Sequence, residues 1–259
     1  MRVVPVPCLK DNYAYLVTLG EGAGGDAVVV DASEAAPVRD ALAREGLRCR
    51  AIWSTHHHWD HVGGNAELAK ELGVEVVGHV SDKERLPAMT RGVDTGDVVE
   101  AAGFAARCFH IPGHTTGAVA YFVEHGGERV VFTGDTMFCS GCGRLFEGTP
   151  AMMHASLSRL LELPGDTRVL CGHEYTESNL RFAAHAEPSN ADVKAAQDRA
   201  RTLRGEGKPT IGTTLDEERK VNPFLRVRSA ELRSTLGIAS DADDVTAFGA
   251  IRAAKDTFR

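Results

Sequence analysis

The sequence predicts an α/β fold: a body of mixed strands and helices followed by a helical appendage. Three observations carry that expectation. First, short apolar runs of strand length alternate with helical periodicity through the first two-thirds of the chain. Second, four apolar runs each lead into a residue that binds divalent metals. Ile52-Trp53 leads to His56, Phe109 to Pro112 leads to Gly113-His114, Val130-Val131-Phe132 leads to Gly134-Asp135, and Val169-Leu170 leads to Gly172-His173. Ligands gathered at strand ends along one sheet edge are how α/β folds build sites. Third, after Gly172 the strand signals stop and helical periodicity takes over, which places a boundary near residue 174.

The elements follow in order. Val3 to Val6, Tyr13 to Leu19 and Ala27 to Val30 are rich in β-branched and aromatic residues and read as strands, with a turn over Gly20 to Gly25. Alternation across Tyr13, Tyr15 and Val17 predicts one buried face. Ala35 to Glu45 has helical periodicity, and Gly46 ends it. Ala51-Ile52-Trp53 is a short strand. Asn65 to Leu72 is a helix with Asn65 as its expected cap and Gly73 as its stop. Glu75 to Val77 is a strand; Asp97 to Ala101 and Phe104 to Ile111 pair around Gly103; Val119 to Val123 and Val130 to Phe132 flank a turn at 124–127. Pro150 to Leu163 is a helix with Thr149 as cap and Pro at its first position. Arg168 to Cys171 is the last strand. Helices are expected over Thr176 to His185, Ala191 to Gly205, Ala230 to Leu236 and Asp241 to Ala254.

Composition narrows the function. The chain has 259 residues, 43% of them apolar and 25% charged, so a sizeable core is expected. Net charge is −7 with no long basic run, which argues against a nucleic-acid partner. No apolar run approaches the roughly eighteen residues of a membrane span. Pro5, Pro7, Lys10 and Asp11 interrupt any signal-peptide core. The six cysteines lack framework spacing, so reduced thiols and a cytoplasmic location are expected, with a mitochondrial form left open. Cys139-Ser140-Gly141-Cys142 sits in a Gly-rich loop and reads as structural rather than redox-active.

The chemistry concentrates in Thr55-His56-His57-His58-Trp59-Asp60-His61. A helix would spread His56, His58, Asp60 and His61 over several faces, whereas a loop leaving a strand can fold them around a point. Imidazole nitrogen and carboxylate oxygen suit a catalytic zinc that keeps a position for water. With His114, Asp135 and His173 the donors number seven, about what two metals sharing a carboxylate need. Asp135 is the expected bridge, because it is the only carboxylate offered by a separate strand; the other six divide three and three. His57 and Trp59 point the opposite way in an extended segment and are expected to support or pack. His79, His110, His125, His154 and His185 have no partners visible in sequence and read as structural.

At these residues the chain resembles the metallo-β-lactamase superfamily, whose H-x-H-x-D-H motif is His56-x-His58-x-Asp60-His61 and whose remaining ligands match His114, Asp135 and His173. Within it the likeness is to the hydroxyacylglutathione hydrolase (glyoxalase II) family. It rests on Leu9-Lys10-Asp11-Asn12-Tyr13, Phe132-Thr133-Gly134-Asp135-Thr136, Gly141-Cys142-Gly143-Arg144, Cys171-Gly172-His173-Glu174-Tyr175-Thr176 and Asn222-Pro223-Phe224. The resemblance implies an αββα sandwich over 1–173 as catalytic domain and a helical substrate-binding domain over 174–259. It implies two divalent metals, most often zinc, with iron or manganese as alternatives. It implies a thioesterase that turns S-D-lactoylglutathione into glutathione and D-lactate with a metal-bridged hydroxide, the second step of methylglyoxal detoxification. Asp60 and Asp135 are the expected catalytic carboxylates, and Arg144, Phe146, Tyr175, Arg252 and Lys255 the expected glutathione contacts. Many members carry Lys at position 144 and Tyr at position 146, so this chain offers a guanidinium and a ring without its hydroxyl. The expected partner is a small glutathione thioester, with no nucleic acid and no membrane, and the expected state is a monomer. The rival readings are a glutathione persulfide dioxygenase with a single iron, which generally lacks the long helical tail, and another hydrolase of the same fold.

Overall fold

The computed structural model describes residues 1–20 and 24–258, so residues 21–23 of the expected turn lie outside the described residues. By internal packing the chain forms two compact units: Met1–His110 with Thr116–Gly134, and Ile111–Thr115 with Asp135–Arg259.

In the first unit β1 (Arg2–Cys8), β2 (Asn12–Thr18) and β3 (Asp26–Val30) are antiparallel neighbours. The helix α1 (Ala35–Glu45) carries the chain over to β4 (Arg48–Trp53), which lies parallel to β3. Parallel neighbours need such a crossover. The one-turn helix α2 (Trp59–Val62) and then α3 (Asn65–Leu72) provide the next, to β5 (Glu75–His79), and a 3₁₀ turn at Val80–Asp82 precedes β6 (Arg91–Val93). The order of this sheet is β1-β2-β3-β4-β5-β6. β7 (Val98–Ala101), β8 (Phe104–His110), β9 (Val119–His125) and β10 (Glu128–Gly134) form an antiparallel meander. Gly126 and Gly127 both have positive φ, which suits the two-residue turn between β9 and β10.

Aromatic side chains join these two sheets face to face. Trp53 stacks on Tyr121 at 5.4 Å, and the Tyr121 hydroxyl donates to the Ser54 carbonyl at 3.0 Å. The Tyr15 and Phe132 rings lie 5.4 Å apart. On the opposite face, Val38, Ala41 and Leu42 of α1 and Leu68 of α3 cover Leu16, Val29, Ile52 and Val76. β2 is therefore buried on both faces, not on one as its alternation predicts. Tyr15 meets the second sheet while Ala14 and Leu16 join the core under the helices.

Asn65 is another correction. Gly64 occupies the cap position of α3 and makes no side-chain bond there. Asn65 instead is fully buried, and its amide donates to Ser54 Oγ at 2.9 Å, tying the helix to the end of β4.

The second unit opens on the small hairpin of β11 (Met137–Phe138) and β12 (Gly141–Cys142). In α4 (Pro150–Leu160), Thr149 Oγ accepts from the Met152 N–H as the sequence suggests, but the helix stops at Leu160, short of Leu163. β13 (Arg168–Cys171) is followed by α5 (Thr176–Ala186), α6 (Ala191–Gly205), α7 (Leu215–Val221), α8 (Ala230–Thr235) and α9 (Asp244–Thr257). Leu180 and Ala183 of α5 pack on Val193, Ala196 and Ala200 of α6 and on Val221 of α7. The sequence reading omits α7, although Thr214-x-x-Glu217 is a capping box and both of its reciprocal bonds are present. Glu218 of α7 is fully buried and accepts from Ser140 N–H, Thr213 Oγ–H and Asn222 Nδ2–H. Burial pushes its carboxyl up to about 7. All six cysteines are buried and none is joined in a disulfide.

Candidate metal centre

In the first unit the donors are set by a hydrogen-bond chain that starts at Asp31. Its carboxylate accepts from the Thr55 backbone N–H at 2.7 Å and from the Thr55 hydroxyl at 2.8 Å. The Thr55 oxygen, its own proton committed, accepts from His56 Nδ1–H at 3.0 Å. The second Asp31 oxygen also holds His61 Nδ1 at 3.0 Å. Both imidazoles therefore keep the proton on Nδ1 and present a basic Nε2, the arrangement that metal-binding histidine adopts. His56 Nε2 lies 3.2 Å from His58 Nδ1, so two ring nitrogens converge. Asn12 donates to both the backbone oxygen and Oδ2 of Asp60 at 3.0 Å.

The backbone that carries these donors is pinned as well. Asp31 N–H donates to the Trp53 carbonyl and Val119 N–H to the Thr55 carbonyl. Gly134, with φ +50°, presses on Thr55, and a Cβ there would collide with the Thr55 side chain. His58 stands at the cap of α2, so Asp60 and His61 lie on a helical turn rather than in an extended loop. The expectation for Trp59 fails on that account: the turn points its ring outward, 69% exposed. His57 faces inward, its Nδ1 3.3 Å from the buried Asp82 carboxylate, which Arg85 balances.

In the second unit His114, Asp135 and His173 are buried together. Asp135 Oδ2 lies 3.5 Å from His114 Nε2 and 3.3 Å from His173 Nε2, so one carboxylate oxygen faces both rings. His114 Nδ1 donates to the Arg144 carbonyl at 2.9 Å, which again leaves Nε2 basic. A Cβ on Gly143 would strike the Asp135 carbonyl oxygen, which explains the glycine before Arg144. The Tyr175 ring stacks on His173 at 4.6 Å, and the Phe146 ring meets His114 edge-on at 5.2 Å.

His114 and Asp135 open into a cavity of about 400 Å³ whose walls include Arg144, Phe146, Tyr175, Arg252 and Lys255. These five are the residues expected to contact glutathione. Lys255 Nζ lies 3.3 Å from Ser178 Oγ. Burial and the neighbouring Arg252, Arg181 and Arg144 push its ammonium below the usual lysine range. Arg252 is buried: it donates to the Cys142 carbonyl at 2.7 Å, pairs with Asp256 at 3.1 Å and lies over the Phe224 ring. Ser178, Asn179 and Asp256 also line this cavity and were not anticipated.

The donor set fits divalent metals. The chain's His and Asp residues fall into groups that could each hold an ion. The Nδ1 anchors at His56, His61 and His114 show that the imidazoles are prepared as ligands. Of the residues that hold them, the sequence reading misses Asp31, yet a signal was present: the apolar strand Ala27 to Val30 runs into Asp31 as the four other strands run into ligands. Among the described residues no helix is long and apolar enough to cross a membrane.

Comparison with known proteins agrees with this geometry. Residues 10–173 match the metallo-beta-lactamase superfamily model and residues 174–258 the model of the hydroxyacylglutathione hydrolase C-terminus. A hydroxyacylglutathione hydrolase of Ruegeria pomeroyi is 44% identical over 258 residues, covering 100% of this chain and 99% of its own. One of Methylococcus capsulatus is 43% identical over 259 residues, with the same coverage. Among solved structures, BLEG-1 B3 metallo-beta-lactamase has a TM-score of 0.66 at 22% identity, over 87% of this chain and 100% of its own. TTHA1623 in a di-iron-bound form has a TM-score of 0.60 at 30% identity, with the same coverage. The chain has the metallo-β-lactamase fold with a helical C-terminal region and belongs to the hydroxyacylglutathione hydrolase family.

Proposed function

We propose that this chain hydrolyses S-(2-hydroxyacyl)glutathione thioesters, with S-D-lactoylglutathione giving glutathione and D-lactate. The observation that carries the reading is the cavity of the second unit. Its walls combine metal-type donors, His114 and Asp135, with the cations Arg144, Arg252 and Lys255. A ligand there would place an electrophilic carbonyl near the donors and free carboxylates near the cations, which is the layout of a glutathione thioester.

In this proposal His56, His58 and His114 would hold one divalent metal, Asp60, His61 and His173 would hold a second, and Asp135 would serve both. Zinc fits the donors, and iron and manganese take the same types. Metals so held would supply a water-derived nucleophile at neutral pH and Lewis acidity toward the thioester carbonyl. The chain's own residues prepare that chemistry. Asp31 and the Arg144 carbonyl hold the imidazole protons on Nδ1. Asn12 fixes the Asp60 carboxylate. Arg144 and Lys255 attract the glutathione carboxylates, Arg252 adds charge from the cavity wall, and Tyr175 and Phe146 offer apolar faces to the thiol carrier. The leaving group is a thiolate, so no strong general acid is required.

Residues 1–173 serve as catalytic domain and 174–259 as substrate-binding domain. The proposed state is a monomer in the cytoplasm. A substrate panel tests the reading: S-D-lactoylglutathione should be hydrolysed far faster than an acyl-coenzyme A thioester, and glutathione persulfide should provoke no oxygen uptake. Oxygen uptake without thioester cleavage would overturn it in favour of a dioxygenase.

A further inference from the structure

Three residues far apart in sequence meet in the first unit. His79 ends β5, Asp94 follows β6 and His110 ends β8. One donor atom of each lies within 4.8 Å of a donor atom of the other two. His79 is only 4% exposed, and among the described residues its Nε2 has no hydrogen-bond partner. That nitrogen faces Asp94 Oδ1 at 3.5 Å. The Nδ1 of His79 accepts from the Ser81 backbone N–H at 3.3 Å and lies 2.7 Å from Ser81 Oγ, so Nε2 carries the ring proton toward Asp94; a cation at Nε2 would send that proton to Nδ1, where the Ser81 hydroxyl can accept it. His110 Nε2 lies 2.8 Å from the Thr116 carbonyl, which can only accept, so the basic nitrogen of His110 is Nδ1. In His110 the oxygen-tied nitrogen leaves the other basic, as in metal-binding histidine, and His79 reaches the same state once its proton moves to Nδ1. Asp94 lies on the exposed turn between β6 and β7, where solvent and ions reach it.

We propose that His79, Asp94 and His110 form an additional metal site, separate from the donors described above. It takes one borderline divalent cation such as Zn²⁺ through two imidazole nitrogens and a carboxylate oxygen, with water completing the coordination. The two rings stack at 4.0 Å with 16° between their planes. A nitrogen lone pair lies in the plane of its own ring, so the cation enters as one ring tilts out of the stack. Binding therefore unstacks the pair.

The test is a Zn²⁺ titration of the full chain, already loaded at its other donors, against the variants D94A and H79Q. The wild type should show a binding step that D94A and H79Q weaken at least tenfold, while thioester hydrolysis is unchanged. Histidine ring resonances should shift during that step in the wild type alone. Asp94 is exposed, so D94A keeps the test valid even where H79Q does not fold. Identical titrations for wild type and D94A would overturn the site. The readout is bound metal, so the result stands whatever reaction the chain catalyses.

Discussion

The two units present their donors in opposite ways. In the first, His56 and His61 are held by one buried carboxylate, Asp31, through bonds of 2.8–3.0 Å with Thr55 between. Every polar group in that chain is committed to aiming nitrogens. In the second, His114 and Asp135 line the cavity with His173 beside Asp135, against two aromatic rings and near the cations Arg144, Arg252 and Lys255. Arg144 is 66% exposed at its side chain, and Asp256, the carboxylate it faces among the described residues, is 3.7 Å away. The contrast teaches a division of labour. One set is built for rigidity, where any lost bond misplaces a ligand. The other is built to receive a charged molecule, where lost contacts weaken affinity.

Substitutions sharpen that contrast. The largest effect is expected for His56→Ala, which removes a ligand from the rigid set. Its hydrolysis should drop to the level of metal-free protein, with metal content falling in step by elemental analysis. Next comes Asp31→Asn, which touches no substrate but replaces one acceptor oxygen with an amide. Partners of metal-binding histidines are worth about 10–100-fold in metal affinity or activity, and a loss of that order is expected in kcat with KM little changed. An unaltered kcat would mean that the Asp31 chain does not aim the ligands.

Arg144→Ala should act in the reverse sense. A charge-assisted contact at an exposed site is worth about tenfold in affinity, so KM should rise by that order with kcat preserved. A fall in kcat with KM unchanged would break the division of labour. The smallest effect concerns stability. The Glu218 carboxyl has a folded-state value of about 7, above its ordinary 4.5. A raised carboxyl favours the protonated folded form, so stability is greatest below the ordinary value, declines as pH climbs toward 7, and levels off above it. Thermal unfolding should show that decline in the wild type and a flatter profile in Glu218→Gln.

Much of this was legible in the chain itself, and the reasons are specific. His56, His58, Asp60 and His61 sit within six positions, and the glycines before His114, Asp135 and His173 mark tight strand-end turns. Local signals of that kind survive in sequence. What was lost is what depends on a partner from elsewhere. The burial of β2 on both faces needs a second sheet, which alternation within one strand cannot report. Asn65 looks like a cap until Ser54 supplies its bond. Trp59 reads as packing only while the segment is taken as extended; the turn of α2 sends it to solvent. His79 and His110 read as structural because Asp94, fifteen or more residues from either, carries no motif with them. α7 was missed for a different reason: its seven residues are too few for periodicity, so only the capping box announced it.

The most direct test of the central claim is removal of the metals. Protein treated with chelator and shown to be metal-free should lose S-D-lactoylglutathione hydrolysis and recover it on addition of Zn²⁺, with its fold intact by circular dichroism. Hydrolysis that persists undiminished in the verified metal-free protein would contradict the account, because then the aimed imidazoles of His56, His61 and His114 would have no part in the reaction.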